Sequence, residues 1–229
     1  KRLFPELADA QEVPKQTANG LRLEVLGSLQ ITRGTTLSIR GRKRQELLAL
    51  LLEARLSGRS EVSRLSLIDT LYSNEDELKA GSSLKNVVHS LRETFGESSI
   101  TTTANGYALG SFDSDAELFL QTLDTSLWRG LYLEGVDLFN DNTVRDLLYT
   151  ALFEKAKTLL ELDAKEATRV TGILVEAEPY NKEYLKSYLT ALRASKNHGK
   201  LTRHYSEARA RLLEVGETLP ETWQGFLEA

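Results

Sequence analysis

Between Ser82 and Gly96 the chain reads SSLKNVVHSLRETFG, and its polar residues are of the kind that bind a ligand rather than attack one. Leu84, Val88, Leu91 and Phe95 recur at i, i+4, i+7 and i+11, so one helical face requires a core. The face between them gathers Ser83, Lys85, Asn86, His89 and Ser90, with Arg92 near the end and no acidic side chain before Glu93. Hydroxyls, an amide, an imidazole and two cations can meet phosphates and base edges. Taken alone, the same pattern also describes a solvated helix face.

Other polar groupings point to less. Arg42, Lys43 and Arg44 open a leucine-rich helical stretch and suit either a phosphate backbone or a solvated turn. With no cysteine in the chain and no second ligand near it, His89 is not expected to hold a metal. His198 and His204 stand six apart, off a common helix face, and receive no role. Asp113, Asp115 and Glu117 resemble the start of a calcium loop, but Leu118 stands where that loop needs glycine. Acids at a helix N-terminus account for them better. Trp128, Tyr132, Phe139, Tyr149 and Phe153 could stack on single-stranded bases, although core packing suits an acidic helical region better. There is no phosphate-binding GxxxxGK[ST] loop, GxSxG elbow, HExxH pair or cysteine nucleophile, so no enzyme and no cofactor are expected.

The elements that would position the polar face follow from changes of period. LRLEVLG (21–27), LQITRG (29–34) and TLSIRG (36–41) read as a three-stranded meander. RKRQELLALLLEARL (42–56) is helical, and EVSRLSLIDTLY (61–72) carries a second helix with Ser63 as its N-cap. SNEDELKAG (73–81) reads as a polar turn before the helix from Ser83 to Phe95. In SITTTANGYALG (99–110), Asn105-Gly106 marks a hairpin. This order is that of a winged helix, whose recognition helix enters the major groove while the hairpin touches the backbone.

From Ser111 onward no strand is expected. Amphipathic helices are predicted over 114–127, 142–162, 164–177, 181–196, 200–215 and 220–228, with Ala151, Ala167 and Ala208 inside a tetratricopeptide-like stack. The net charge of −4 divides unevenly. Residues 21–110 hold 12 Lys+Arg against 10 Asp+Glu, whereas 111–229 hold 14 against 20. The asymmetry suggests one part facing nucleic acid and one that does not. Apolar content of 41% is ordinary, the lack of an apolar run long enough to span a bilayer and of a signal pattern argues against a membrane span or secretion, and the absence of cysteine fits a reducing cytoplasm.

LRLEVLGSLQI, VSRLSLIDTLY, SLKNVVHSLRETFG, NGYALG, SLWRGLYLEG (126–135) and LLEVGETLPETWQGFLE, in this order, resemble the Streptomyces-antibiotic-regulatory-protein type of bacterial activator. The resemblance covers roughly Leu21 to Ala229. It implies an α+β, OmpR-like winged helix-turn-helix over 21–110, an all-α bacterial transcriptional activator domain over 111–229, and a tail over 1–20. It further implies sequence-specific activation on double-stranded DNA by recruitment of RNA polymerase, with a possible homodimer through the helical domain. Ser83, Lys85, Asn86, His89 and Ser90 would lie at the groove, Arg92 on a phosphate, and Thr103 and Asn105 in the wing. Glu75, Asp76 and Glu77, in the loop before the recognition helix, would touch polymerase. Ser90 and Thr103 stand where basic residues are common, and Tyr72 replaces a usual tryptophan. The alternative is a protein-interaction scaffold whose winged helix does not bind DNA.

Overall fold

The computed structural model describes residues 20–138 and 142–228. The expected tail, apart from its last residue, and Phe139 lie outside these. The chain divides into two compact units, Lys1–Arg145 and Asp146–Ala229.

In the first unit, β1 (Arg22–Glu24), β2 (Gln30–Arg33) and β3 (Thr35–Leu37) form the expected antiparallel meander. Leu21, Leu23, Val25 and Ile31 are fully buried while Arg22 and Glu24 are only half so, the period-two pattern of a sheet with one face on the core. Helix α1 (Arg42–Leu56) runs through that core. Leu47, Leu48, Leu51 and Leu52 are all but completely buried, and even Glu46 and Glu53 lie inside. Each such leucine is worth about 1.5–3 kcal/mol against its exposed state.

A short strand β4 (Val62–Ser63) leads into α2 (Arg64–Leu71). Ser63 is the N-cap as expected, its hydroxyl accepting from the Ser66 N–H at 3.1 Å. Helix α3 (Glu77–Phe95) follows, then a hairpin of β5 (Ile100–Thr102) and β6 (Gly106–Leu109). Strand β6 also pairs with β4, giving a three-stranded wing sheet. A Cβ at position 106 would fall 1.9 Å from the Val62 carbonyl oxygen, so only glycine lets these strands meet.

Two expectations are corrected here. Strand structure does not stop before Ser111, because β7 (Asp113–Ser114) pairs in parallel with β1. The expected boundary after Gly110 also falls inside the first unit. Helix α4 (Asp115–Thr122) starts with Asp115, whose carboxylate accepts from the Val25 and Leu26 N–H groups at 2.8 and 3.1 Å and from Arg129 at 3.0 Å. Arg55 donates to the carbonyls of Gly110 and Phe112 and pairs with Glu117 at 2.7 Å. The Arg129 and Leu133 N–H groups return to the Leu26 and Val25 carbonyls. Asp115 and Glu117 therefore brace the fold rather than begin a calcium loop. Burial pushes the Asp115 carboxyl up against these bonds, the cost of holding a charge away from water. Trp128 and Tyr132 are core residues, Trp128 meeting Phe119 edge-on at 5.5 Å and the Tyr132 hydroxyl donating to Glu53.

The second unit consists of helices and the turns between them among its described residues. It takes up most of α5 (Thr143–Leu162), then α6 (Ala164–Ala177), α7 (Lys182–Ala194), α8 (His198–Glu214) and α9 (Trp223–Glu228). Asp163 and Asn181 cap α6 and α7. Ala151, Ala167 and Ala208 are buried as expected of close-packed helix pairs, and Tyr149 and Phe153 are buried with them. Leu185, Leu189, Leu192, Leu201, Tyr205 and Leu212 join α7 to α8, and Phe226 closes the end. No helix among the described residues is long and apolar enough to cross a membrane.

Candidate nucleic-acid interface

Helix α3 is longer than expected. Asp76 caps it, its carboxylate accepting from the Leu78 and Lys79 N–H groups at 3.1 and 3.4 Å. Glu77 through Gly81, read from sequence as part of a turn, form its first turns, so Glu77 is a helix residue and the loop shrinks to 73–76. Gly96 ends the helix at φ +98°, a backbone conformation that side chains disfavour.

Leu84, Val88, Leu91 and Phe95 are buried, as the spacing predicts, and Ala80 is buried with them. Lys85, Asn86 and His89 lie on the opposite, exposed face. Neither Lys85 nor Asn86 has a side-chain partner among the described residues. His89 places its Nε2 3.4 Å from Glu93, with both side chains about two-thirds exposed (69% and 66%). Ser83 and Ser90 sit half-buried on one flank of this face.

Arg92 sits on the other flank, with its guanidinium turned to the wing. Its Nε and Nη2 donate to the Ile100 carbonyl at 3.0 and 2.7 Å, and Nη2 also donates to the Thr102 hydroxyl. The side chain is only 21% exposed. It braces the helix against the wing instead of standing free for a phosphate.

The wing turn is held from within. The Gly106 N–H donates to the Thr103 hydroxyl at 3.0 Å, and the Asn105 amide donates to Glu61 at 3.0 Å. Hydrogen bonds from Thr103 and Asn105 hold the Glu61 carboxyl below its ordinary value. The Asn105 carbonyl accepts from the Arg64 N–H, tying the wing to the start of α2. Arg64 is exposed, with its guanidinium 6.0 Å above the Tyr107 ring. The sequence reading missed Glu61 and Arg64. Arg64 stands in VSRLSLIDTLY and Glu61 just before it, but nothing in that stretch marks either as a wing residue, and only the β4–β6 pairing brings them there.

The expected basic cluster at α1 is largely neutralised. Arg42 and Lys43 converge on Glu46, one turn on and only 4% exposed, and Arg42 also reaches Asp137 at 3.3 Å. Lys43 lies 5.4 Å over the ring of Tyr72, which is buried in the place of the usual tryptophan. Arg44 alone of the three has no ion pair among the described residues. Glu75 is exposed in the loop beside Asp76.

Among the described residues no three metal-ligating side chains converge. His198 opens α8, while His204, on the same helix, stacks edge-on against Tyr188 at 5.3 Å.

With this geometry the chain is similar in fold to a solved structure of Mycobacterium tuberculosis EmbR in complex with a low-affinity phosphopeptide. The TM-score is 0.53 and the identity 18%, over 91% of this chain and 64% of that one. Like that neighbour, the chain carries a small sheet region with a winged helix, followed by a mostly helical domain. It spans 64% of the neighbour's length. No family model matches, and no curated protein matches.

Proposed function

We propose that the chain is a sequence-specific double-stranded-DNA-binding transcriptional activator of the Streptomyces-antibiotic-regulatory-protein type, acting in the bacterial cytoplasm without a cofactor. The observation that carries this reading is the face of α3. Lys85 and Asn86 point to solvent with no partner of their own, on a helix anchored beside a hairpin wing. A lysine and an amide held on a rigid helix can each read a base edge, lysine on guanine and asparagine on adenine. His89 extends the reach by one turn, while Ser83, Ser90, Thr103 and Asn105 border the groove. Arg44 and Arg64 supply phosphate contacts, a role that Arg42 fills poorly while paired with Glu46 and Arg92 while its donors are held by Ile100 and Thr102. Recruitment of RNA polymerase falls to Glu75, Asp76 and Glu77, whose like charge turns them from phosphate toward a basic partner. The helical unit supplies a homodimer contact.

The engagement of Arg42, Lys43 and Arg92 favours a second reading, in which the winged helix no longer binds DNA and the chain is a protein-interaction scaffold. Selection of duplexes from a random-sequence pool separates the two. Activation predicts enrichment of one sequence with salt-dependent affinity, and a scaffold predicts no enrichment at any salt.

A further inference from the structure

Leu78 is the most exposed large apolar side chain described, at 84%, on a helix whose Leu84 and Leu91 are completely buried. Neither packing nor helix formation explains it, since Lys, Glu or Ala would serve the first turn of α3 equally well. Its position is more informative. Leu78, Ser82, Lys85 and His89 stand at i, i+4, i+7 and i+11, so the leucine continues the polar face toward the helix N-terminus. The neighbouring acid is turned away from that face, because the Asp76 carboxylate folds back onto the Leu78 and Lys79 N–H groups.

When a helix lies in the major groove, its N-terminal residues contact base edges. The groove offers one apolar feature there, the 5-methyl group of thymine. We infer that Leu78 is a specificity-determining residue that packs on a thymine methyl, next to the bases met by Lys85 and Asn86. The inference rests on the proposed reading of α3 as the base-reading helix. The exposed leucine thus completes a mixed surface, apolar at its leading end and polar along its middle, that matches a thymine followed by hydrogen-bonding bases.

The test replaces each thymine of a selected duplex, one at a time, with deoxyuridine, which lacks only the methyl group. Affinities are measured for the full chain and for Leu78→Ala, with circular dichroism confirming that the variant keeps its helix. At one thymine the replacement should weaken the wild type about fourfold, the worth of one buried methyl-sized group. Leu78→Ala should show no such loss there, and Leu78→Ile should restore it. Identical thymine profiles for wild type and Leu78→Ala overturn the inference while leaving the proposed function standing. The same result accompanied by a loss of transcription in a purified system moves Leu78 to a protein contact with polymerase. Failure to enrich any duplex overturns the proposed function and the inference together.

Discussion

The start of α1 and the face of α3 carry similar residue types and differ in what surrounds them. At α1, Arg42 and Lys43 have a carboxylate one turn along their own helix, and Glu46 draws both inward. At α3, Lys85 and Asn86 have no carboxylate three or four residues away on their own helix, and Glu93, farther along it, faces His89 instead. The number of cations in a sequence is thus a poor guide to the charge available for binding. The position of the acids one turn away decides it, because i, i+3 and i, i+4 neighbours meet on a helix surface.

The largest effect should come where the engaged side of this comparison is most deeply buried. Asp115, 3% exposed, serves two backbone N–H groups and Arg129. Asp115→Ala should therefore destabilise the first unit by roughly 2–4 kcal/mol, since it strands the buried Val25 and Leu26 N–H donors and takes from the half-exposed Arg129 the nearer of its two carboxylates. Chemical denaturation measures this, and a loss below about 1 kcal/mol would show that the brace is dispensable. On the unengaged side, alanine at Lys85 or Asn86 should leave stability unchanged but cost about 1–3 kcal/mol of discrimination at one base pair.

Arg92 lies between these cases. Arg92→Ala should lower stability by about 1–2 kcal/mol through the lost Ile100 and Thr102 bonds and leave the salt slope of DNA binding intact. A slope reduced by about one at unchanged stability would restore Arg92 to a phosphate. Asp76→Ala removes the α3 cap and should cost about 1 kcal/mol. Glu75→Lys touches no cap, so it should reduce purified transcription without lowering promoter affinity. A parallel fall in both would assign the loop to DNA contact or to the fold.

The smallest effect concerns the wing. Glu61 has a lowered carboxyl value in the folded state, so its tie to Thr103 and Asn105 is complete above the ordinary glutamate value. It is lost as pH falls through the lowered one. Amide exchange in the β5–β6 turn should therefore speed up on acidification, and Glu61→Gln should remove most of that pH dependence.

Regular elements were legible in the sequence where a period or a cap announced them. Leu84, Val88, Leu91 and Phe95 fixed the buried face of α3, Ser63 the start of α2, and Asn105-Gly106 the wing turn. Three features lacked such a signal. The polar composition of SNEDELKAG reads as a turn, yet Asp76 caps a helix that runs from Glu77. The extent of the first unit beyond Gly110 carries no such signal, because β7 is too short to show a period and Asp115 binds backbone some ninety residues away. The engagement of Arg42 with Glu46 and of Arg92 with Ile100 and Thr102 depends on partners that composition does not rank. The exposed positions of Lys85, Asn86 and His89 did follow from spacing alone.

The most direct test of the central claim is the affinity of Lys85→Ala/Asn86→Ala for a selected duplex and for its shuffled counterpart, across a salt series. The account predicts that wild type prefers the selected duplex, that this preference collapses in the variant, and that the salt slope falls by only about one, for the single lysine removed. A variant that retains the full preference, or a wild type that binds both duplexes alike, contradicts it.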